Sequence, residues 1–276
     1  MDLIEINQET CNKDGTCATV CPSGIIGFEK GSFPKPVPDA DELCIRCGHC
    51  VAVCPKGSLT HRDVPVERCP PVRKDLLLSE EQCEHFLRNR RSIRVYKDQR
   101  VPRQVLERLI DIARYAPSGH NTQGVQWLVI ADPAELHRLS GLTVDWLRWL
   151  LENAREMALT MHIDRVVARW EGGYDVILRN APAVIVAHGP KDDRVVAGSC
   201  TIALTYMELA ATSMGLGCCW AGFFGAAGGT FPPMAKELQL PEGNQCFGAM
   251  MVGYPRYTYS RLPLRNAPRI SWRGVE

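Results

Sequence analysis

The chain has 276 residues and a mass of 30.7 kDa, a length that fits one or two domains. Hydrophobic residues make up 45% of it and charged residues 23%, a composition that favours a packed core over global disorder. The formal net charge is +1, and this near-neutral balance disfavours nucleic acid as the main partner.

The first ten residues, MDLIEINQET, show no basic start followed by an apolar run, so we expect no secretory signal. The least polar long stretch, residues 197–224, contains Glu208 and several Ser, Thr and Gly residues, which favours a buried helix over a membrane span. Thirteen cysteines, an odd number, favour reduced, metal-binding thiolates over a disulfide scaffold. We therefore expect a cytoplasmic protein without a membrane partner.

The composition changes near residue 65, where a proline-containing stretch is typical of an extended linker. Ser79, followed by two acids and Gln82, then predicts the start of a helix. Farther along, apolar periodicity predicts strands over 125–130, 183–187 and 246–252, and helices over 101–115, 144–170 (unbroken or as a pair) and 197–214. Gly215 stands where a left-handed residue would end the last of these helices.

Two cysteine runs share one frame, 33 residues apart. The second run has the spacing of bacterial ferredoxins, in which the fourth cysteine ligates the other cluster: Cys44-x2-Cys47-x2-Cys50-x3-Cys54-Pro55. The first run keeps that spacing, with an aspartate in place of the second cysteine: Cys11-x2-Asp14-x2-Cys17-x3-Cys21-Pro22. Zinc sites usually pair two CxxC knuckles instead. The two runs together resemble a two-cluster bacterial ferredoxin domain.

The ferredoxin resemblance implies two crossed ligand sets. The first cluster would be held by Cys11, Asp14, Cys17 and Cys54, and the second by Cys44, Cys47, Cys50 and Cys21. A carboxylate binds iron more weakly than a thiolate, so the Asp14 site is either a complete [4Fe–4S] cluster with an oxygen ligand or a [3Fe–4S] cluster. Alternatively, Asp14 is a turn residue before Gly15 and ligates no iron.

Three more segments occur in order: RRSIRVY at 90–96, APSGHNTQ at 116–123 and GLGCCW at 215–220. Taken alone, the first is either a solvated basic loop or an anion site, and the second is a small loop that lets backbone approach a planar ligand. Together they resemble the FMN-dependent nitroreductase family over residues 84–276. With its N-terminal part, the whole chain resembles a ferredoxin–nitroreductase fusion.

The nitroreductase resemblance also implies the FMN contacts. The phosphate and ribityl chain would be gripped by Arg90, Arg91 and Ser92, with Arg94 near the pyrimidine edge of the ring. The ring would be lined from the partner subunit by one loop, comprising Pro117, Ser118, Gly119, Asn121 and Gln123. The N5 side would face Trp220, Ala221 and Gly222, and the C-terminal phosphate cation would be Arg265, with Arg261 as the weaker candidate.

The two resemblances imply an α+β fold in three parts. A ferredoxin-like 2[4Fe–4S] domain would cover 1–65, with two short hairpins and two short helices, followed by a linker over 66–83. A nitroreductase-like FMN-binding domain would cover 84–276, with an antiparallel-dominated sheet covered by helices, and it would form a homodimer with two flavins.

The implied activity combines both cofactors. Single electrons from an external donor such as a ferredoxin would pass through two Fe–S clusters to FMN, which would reduce an electron-poor acceptor by hydride transfer from N5. Nitroaromatics, quinones and activated alkenes fit this chemistry, and no side chain is nominated as catalytic. Two alternatives stay open: an NAD(P)H-driven nitroreductase in which the clusters have a minor role, and a non-catalytic redox-sensing module.

Overall fold

The structure is a computed structural model that describes residues 2–275. The chain folds into two compact units. Unit 1 extends to Leu77 and also includes Ser118–Gln123, whereas unit 2 comprises Leu78–Pro117 and the chain from Gly124 onward.

Unit 1 is built from short elements around a small apolar core. Its strands are β1 (Ile4–Ile6), β2 (Ile26–Gly27), β3 (Lys35–Pro36) and β4 (Leu59–His61), and its helices are α1 (Thr16–Thr19), α2 (Ala40–Leu43) and α3 (His49–Val53). β1 pairs antiparallel with β4, and β2 pairs antiparallel with β3. Because β1 and β4 come from opposite ends of the cysteine-rich segment, the expectation of two hairpins is wrong for this pair.

The two halves of unit 1 repeat one local design. Gly15 precedes α1 and Gly48 precedes α3, and both glycines have left-handed backbones, with φ of 73° and 71°. A β-carbon at Gly15 would lie 2.4 Å from the ring of Phe28, and one at Gly48 would lie 3.2 Å from Val64. Glycine therefore meets both a conformational and a packing requirement at the start of each helix.

Unit 2 contains one antiparallel sheet in the order β5-β6-β8-β7. The strands are β5 (Gln126–Ile130), β6 (Ala183–Pro190), β7 (Gly217–Trp220) and β8 (Asn244–Gly253). The helices are α4 (Glu80–Asn89), α5 (Arg103–Ala113), α6 (Pro133–Asn153), α7 (Arg155–Thr160), α8 (Ile163–Glu171), α9 (Val196–Ser213), α10 (Gly222–Thr230) and α11 (Pro232–Glu237).

The sheet of unit 2 is buried on both faces, as β6 shows. Val184 and Val186 face one apolar cluster, which includes side chains of α6, α8 and α10. Ile185 and Ala187 face another cluster, which includes side chains of α5 and α9. Successive side chains of a strand point to opposite faces, so the continuous apolar run forms a central strand with helices on both sides. The expected antiparallel sheet covered by helices is confirmed.

The region predicted as a helix over 144–170 differs from expectation. Helix α6 begins eleven residues earlier, at Pro133, because Asp132 caps it by accepting a hydrogen bond from the backbone N–H of Glu135 at 2.9 Å. The helical stretch is then interrupted twice, at Ala154 and at the left-handed His162, which separates α7 from α8. Three helices therefore replace the predicted one or two.

Helix α10 was not predicted, since its sequence GFFGAAGGT contains four glycines and has low helix propensity. A β-carbon at Gly225 would lie 3.4 Å from the backbone nitrogen of Ala249, so the helix packs very close to β8. Tertiary packing thus stabilises a helix that propensity disfavours. Within residues 2–275, every helix is too short or too polar to cross a bilayer.

Candidate functional site

Unit 1 contains two cavities of similar size, with volumes of about 300 and 310 Å³. Part of each volume is open to solvent. The first is lined by the predicted first ligand set, Cys11, Asp14, Cys17 and Cys54. The second is lined by the predicted second set, Cys21, Cys44, Cys47 and Cys50. The structure therefore brings the last cysteine of each run to the cavity of the other run, as a two-cluster ferredoxin frame requires.

The donor set of each cavity fits an iron–sulfur cluster. All thirteen cysteines are free thiols, and among the described residues no three His, Cys, Asp or Glu side chains converge on a single ion. The thiolates of a cubane each bind a separate iron, so they surround a cavity rather than one point. Backbone N–H groups also approach the sulfurs: Arg46 donates to Cys44 Sγ at 3.4 Å and Ser58 to Cys54 Sγ at 3.2 Å.

The thiols differ in how readily they ionise. Burial raises the pKa of Cys17, and it raises the pKa of Cys50 to about 11. Burial acts in the same direction on Cys54, but hydrogen bonds from backbone N–H groups, with that of Ser58 the strongest, outweigh it and lower the pKa of Cys54. Iron bound by these two sulfurs would have to displace their protons, which would couple cluster assembly to proton release.

Asp14 is one of the residues that line the first cavity, and it is exposed to solvent. Its Oδ1 accepts a hydrogen bond from the backbone N–H of Thr16 at 2.9 Å, and this bond lowers the pKa of Asp14 below its usual value. The carboxylate is therefore charged at neutral pH. It is at once a turn residue and a lining group of the cavity.

His61 was not singled out from the sequence, although it lines the second cavity. It is 1% exposed, and its Nε2 lies 3.4 Å from Cys44 Sγ. The backbone N–H of Asp63 donates to His61 Nδ1 at 3.0 Å, and burial lowers the pKa of the ring. The sequence does contain a clue to this residue. The 33-residue offset between the runs aligns His61 with Phe28, so the second half has a polar side chain where the first half has an apolar one.

In unit 2, the basic segment 90–94 follows helix α4 and is tied to the sheet. The backbone N–H of Ile93 donates to the carbonyl of Cys218 in β7 at 2.8 Å. Arg90 Nη1 donates to Glu208 Oε1 of helix α9 at 2.7 Å, and the Glu208 side chain is 8% exposed. The same Arg90 nitrogen approaches Ser92 Oγ at 3.4 Å. Glu208, which in the sequence argued only against a membrane span, thus positions a predicted FMN residue.

Arg91 shows the feature that best fits a phosphate ligand. Its Nε is buried and has no hydrogen-bond partner in the described part of the chain, while its guanidinium lies 5.7 Å from the ring centroid of Tyr259. Buried N–H donors are nearly always paired, because desolvation without a partner costs about 1–3 kcal/mol. An anionic ligand at this position would provide the missing acceptor.

The predicted N5 segment lies where β7 ends and α10 begins. Trp220 is the last residue of β7, and Gly222 is the first residue of α10. Between them, Ala221 is buried and its backbone N–H donates to Ala249 of β8 at 2.9 Å. A β-carbon at Gly222 would meet no atom within 4 Å, so there is open space on this side of the segment.

The remaining predicted FMN residues are distributed differently. Pro117 is in unit 2, but Ser118–Gln123 is part of unit 1, where Asn121 Nδ2 donates to the carbonyls of Ile45 and Arg46, both at 3.1 Å. Arg94 Nη1 approaches the Ser92 carbonyl at 3.5 Å. Arg261 and Arg265 are exposed in the irregular tail, and no hydrogen bond or ion pair within residues 2–275 involves them.

Four further cysteines and His188 lie outside the two cavities of unit 1. Cys69 and Cys83 are exposed, whereas Cys218 and Cys219 are buried in the strand β7. Burial raises the pKa of both strand thiols. His188, near the end of β6, is buried and lies 3.0 Å from the side-chain nitrogen of Asn244.

Comparison with known proteins identifies both parts of the chain. Residues 87–254 match the model of the Nitroreductase family, and residues 3–55 match the model of a 4Fe-4S dicluster domain. A provisionally named NADH dehydrogenase/NAD(P)H nitroreductase of Archaeoglobus fulgidus is 25% identical over 176 residues, 64% of this chain and 87% of that protein. A protein of the same provisional name from Methanothermobacter thermautotrophicus is 24% identical over 188 residues, 67% of this chain and 83% of that protein.

Solved structures support the fold of the larger part. A nitroreductase with bound FMN from Bacteroides fragilis superposes with a TM-score of 0.56 at 20% identity, covering 72% of this chain and 100% of that one. A nitroreductase with bound FMN from Desulfitobacterium hafniense gives 0.55 at 21% identity, covering 71% and 99%. Since the family match spans more than half of the residues, this chain belongs to the nitroreductase family, as an FMN-dependent oxidoreductase with an N-terminal 4Fe-4S dicluster domain.

Proposed function

We propose that this protein passes single electrons through two iron–sulfur clusters to FMN, which reduces a small electron-poor acceptor such as a nitroaromatic, a quinone or an activated alkene. The observation that carries the proposal is the exchange of Cys21 and Cys54 between the two cavities. This exchange leaves each cavity with four candidate ligands, so the dicluster part is equipped for two clusters.

The proposed ligands of the first cluster are Cys11, Asp14, Cys17 and Cys54, and those of the second are Cys21, Cys44, Cys47 and Cys50. The second is a [4Fe–4S] cluster, and the first is a [4Fe–4S] or [3Fe–4S] cluster, depending on whether Asp14 retains the fourth iron. We assign the cluster domain to residues 1–65, the linker to 66–83 and the FMN-binding domain to 84–276.

For FMN, we propose that Arg90, Arg91 and Ser92 bind the phosphate, with Arg265 or Arg261 as a further cation. The unpartnered Arg91 Nε supports this assignment, and so does Glu208, which fixes the Arg90 guanidinium by an ion pair at 2.7 Å. The remaining contacts come from Arg94, from Trp220, Ala221 and Gly222, and from the loop residues Pro117, Ser118, Gly119, Asn121 and Gln123 across a homodimer interface. Nitroreductase-family proteins are commonly dimeric.

The two cofactor types divide the chemistry, since clusters exchange one electron at a time and a bound flavin takes up single electrons and delivers two. The chain contributes to this by holding the sulfur ligands in a partly buried apolar shell and by supplying backbone N–H groups to them. It binds an anionic cofactor through a segment that carries three arginines at 90, 91 and 94.

The experiment compares Cys47→Ser with Cys83→Ser, which changes an exposed cysteine outside both runs. Anaerobic turnover of a nitroaromatic is measured with reduced ferredoxin as donor and, separately, with dithionite, which reduces the flavin directly. We expect the ferredoxin-driven rate of Cys47→Ser to be at least tenfold lower than that of wild type, whereas its FMN content and its dithionite-driven rate are unchanged. Cys83→Ser should behave as wild type in all three measurements. Unchanged ferredoxin-driven turnover in Cys47→Ser would remove the clusters from the electron path.

The provisional names of the archaeal relatives favour one alternative, an NAD(P)H-driven reductase in which the clusters have a minor role. It predicts that NAD(P)H supports faster turnover than reduced ferredoxin and that Cys47→Ser leaves this rate intact. A redox-sensing module, the third candidate, would be reduced by either donor without sustained turnover of any acceptor.

A further inference from the structure

We propose that His61 tunes the second cluster by donating a hydrogen bond from its Nε2–H to the sulfur of Cys44, which raises the reduction potential of that cluster. The inference rests on the proposed function in one respect, the assignment of Cys44 as a cluster ligand. His61 does not contact iron in this arrangement, so it is a positioning residue that acts through Cys44.

The direction of the hydrogen bond follows from the other ring nitrogen. His61 Nδ1 accepts the backbone N–H of Asp63 at 3.0 Å, so Nδ1 carries no proton. In the neutral imidazole the proton is then on Nε2, which lies 3.4 Å from Cys44 Sγ. A neighbouring backbone bond therefore fixes the tautomer that can donate to the sulfur.

The position of His61 is fixed as well as its tautomer. It is the last residue of β4, where it pairs with Ile4 of β1, and it is 1% exposed. A donor held in a water-free position acts on the sulfur without competition from solvent. Reduction adds negative charge to a cluster and its thiolates, so an N–H donor at a ligand sulfur favours the reduced state and raises the potential.

The first cavity has no equivalent donor at the corresponding position. The 33-residue offset that relates Cys11 to Cys44 relates Phe28 to His61. The Phe28 ring packs against Gly15, where a β-carbon would lie 2.4 Å away, and a phenyl ring has no N–H to donate. The two halves of the duplicated unit therefore differ at this point in hydrogen bonding to the cluster ligands.

The test measures the midpoint potentials of both clusters by redox titration monitored by electron paramagnetic resonance. His61→Phe places in the second half the residue type that the first half has, and His61→Gln keeps an N–H donor. We expect His61→Phe to make reduction of one cluster about tenfold less favourable, which corresponds to about 59 mV for one electron, and to leave the other unchanged. His61→Gln should shift that potential less.

Iron and acid-labile sulfide counts separate the possible failures. If wild-type protein holds no clusters, the proposed function fails. If His61→Phe retains full iron and both potentials match wild type, the inference alone is overturned. If His61→Phe loses iron, the hydrogen bond is tested instead by pulsed electron paramagnetic resonance, which detects ¹⁵N nuclei close to a paramagnetic cluster, on reduced protein labelled with ¹⁵N-histidine. His49 also lines the second cavity, so the His49→Gln variant is the control that removes its signal. A hyperfine coupling between the cluster and a histidine ¹⁵N that persists in the His49→Gln variant supports the hydrogen bond from His61. The absence of any such coupling in wild-type protein overturns it.

Discussion

Replacing Gly217 with alanine should disturb the basic segment 90–94, the proposed phosphate site of FMN, through contact with one residue, Ile93. A β-carbon at Gly217 would lie 2.4 Å from Ile93 Cγ1, 2.7 Å from its Cβ and 2.9 Å from its Cγ2. A change of side-chain rotamer cannot relieve the clash, because Ile93 Cβ, which does not move on rotation about χ1, is itself among the clashing atoms. The backbone N–H of Ile93 is also held by a hydrogen bond to the carbonyl of Cys218 at 2.8 Å. The backbone between Ser92 and Arg94 must therefore move.

The expected cost combines overpacking, about 1–3 kcal/mol, with weakening of a hydrogen bond worth about 1 kcal/mol. We expect a net loss of about 2–3 kcal/mol, which lowers the melting temperature of a domain of this size by about 4–12 °C. If segment 90–94 binds the FMN phosphate as proposed, its displacement should also weaken FMN binding by at least about tenfold, equivalent to about 1.4 kcal/mol.

The assay is differential scanning fluorimetry of apoprotein, together with FMN titration followed by flavin fluorescence. Gly141→Ala is the matched control: it lies inside α6, where a β-carbon would meet Trp170 at an ordinary 3.5 Å, so alanine should be neutral or stabilise by up to about 1 kcal/mol. If Gly217→Ala melts and binds FMN like Gly141→Ala, the packing explanation for the position of the segment is wrong.

Three other predictions concern the Asp14 side chain, the Arg90–Glu208 ion pair and the folding of the cluster domain. Asp14→Cys should slow the release of iron from the first cluster to a chelator, because a thiolate is a softer ligand than a carboxylate; faster release would contradict this. Glu208→Ala should lower the free energy of unfolding in urea by about 2 kcal/mol, below the loss for a fully buried pair because the Arg90 side chain is 24% exposed, and an unchanged midpoint would exclude a stabilising role. Anaerobic removal of iron should abolish the calorimetric unfolding transition of the cluster domain and preserve that of the FMN-binding domain, and two intact transitions would show that unit 1 folds without metal.

The sequence predicted features that depend on local spacing. The frame of the two cysteine runs is set by residue intervals, and the structure brings the crossed sets together around two cavities. The start of α4 is predicted from Ser79 and the residues that follow it, and the structure confirms this start, where Ser79 and Gln82 form a capping box with both hydrogen bonds present. The central strand β6 was visible as an apolar run, because a strand buried on both faces has no polar alternation.

Features that depend on distant contacts escaped prediction. Helix α10 forms in a glycine-rich sequence because it packs against β8, and no local signal encodes that contact. The inclusion of Ser118–Gln123 in unit 1 depends on carbonyls more than seventy residues away. His61 and Glu208 acquire their partners, Cys44 and Arg90, through the fold alone, at 3.4 and 2.7 Å. Spacing within the two runs therefore predicts which side chains line each cavity, whereas the hydrogen-bonding partners of residues such as Cys44 and Arg90 are set by the tertiary structure.

The role of the clusters as electron donors to the flavin is tested most directly by a single-turnover reaction. Protein with all centres reduced is mixed anaerobically with a nitroaromatic, and flavin and cluster absorbance are followed separately in a stopped-flow instrument. We expect the clusters to be reoxidised at a rate at least equal to the ferredoxin-driven turnover number, and Cys47→Ser to lose this phase. Flavin that is reoxidised while the clusters stay reduced for many turnover times would contradict electron transfer between them.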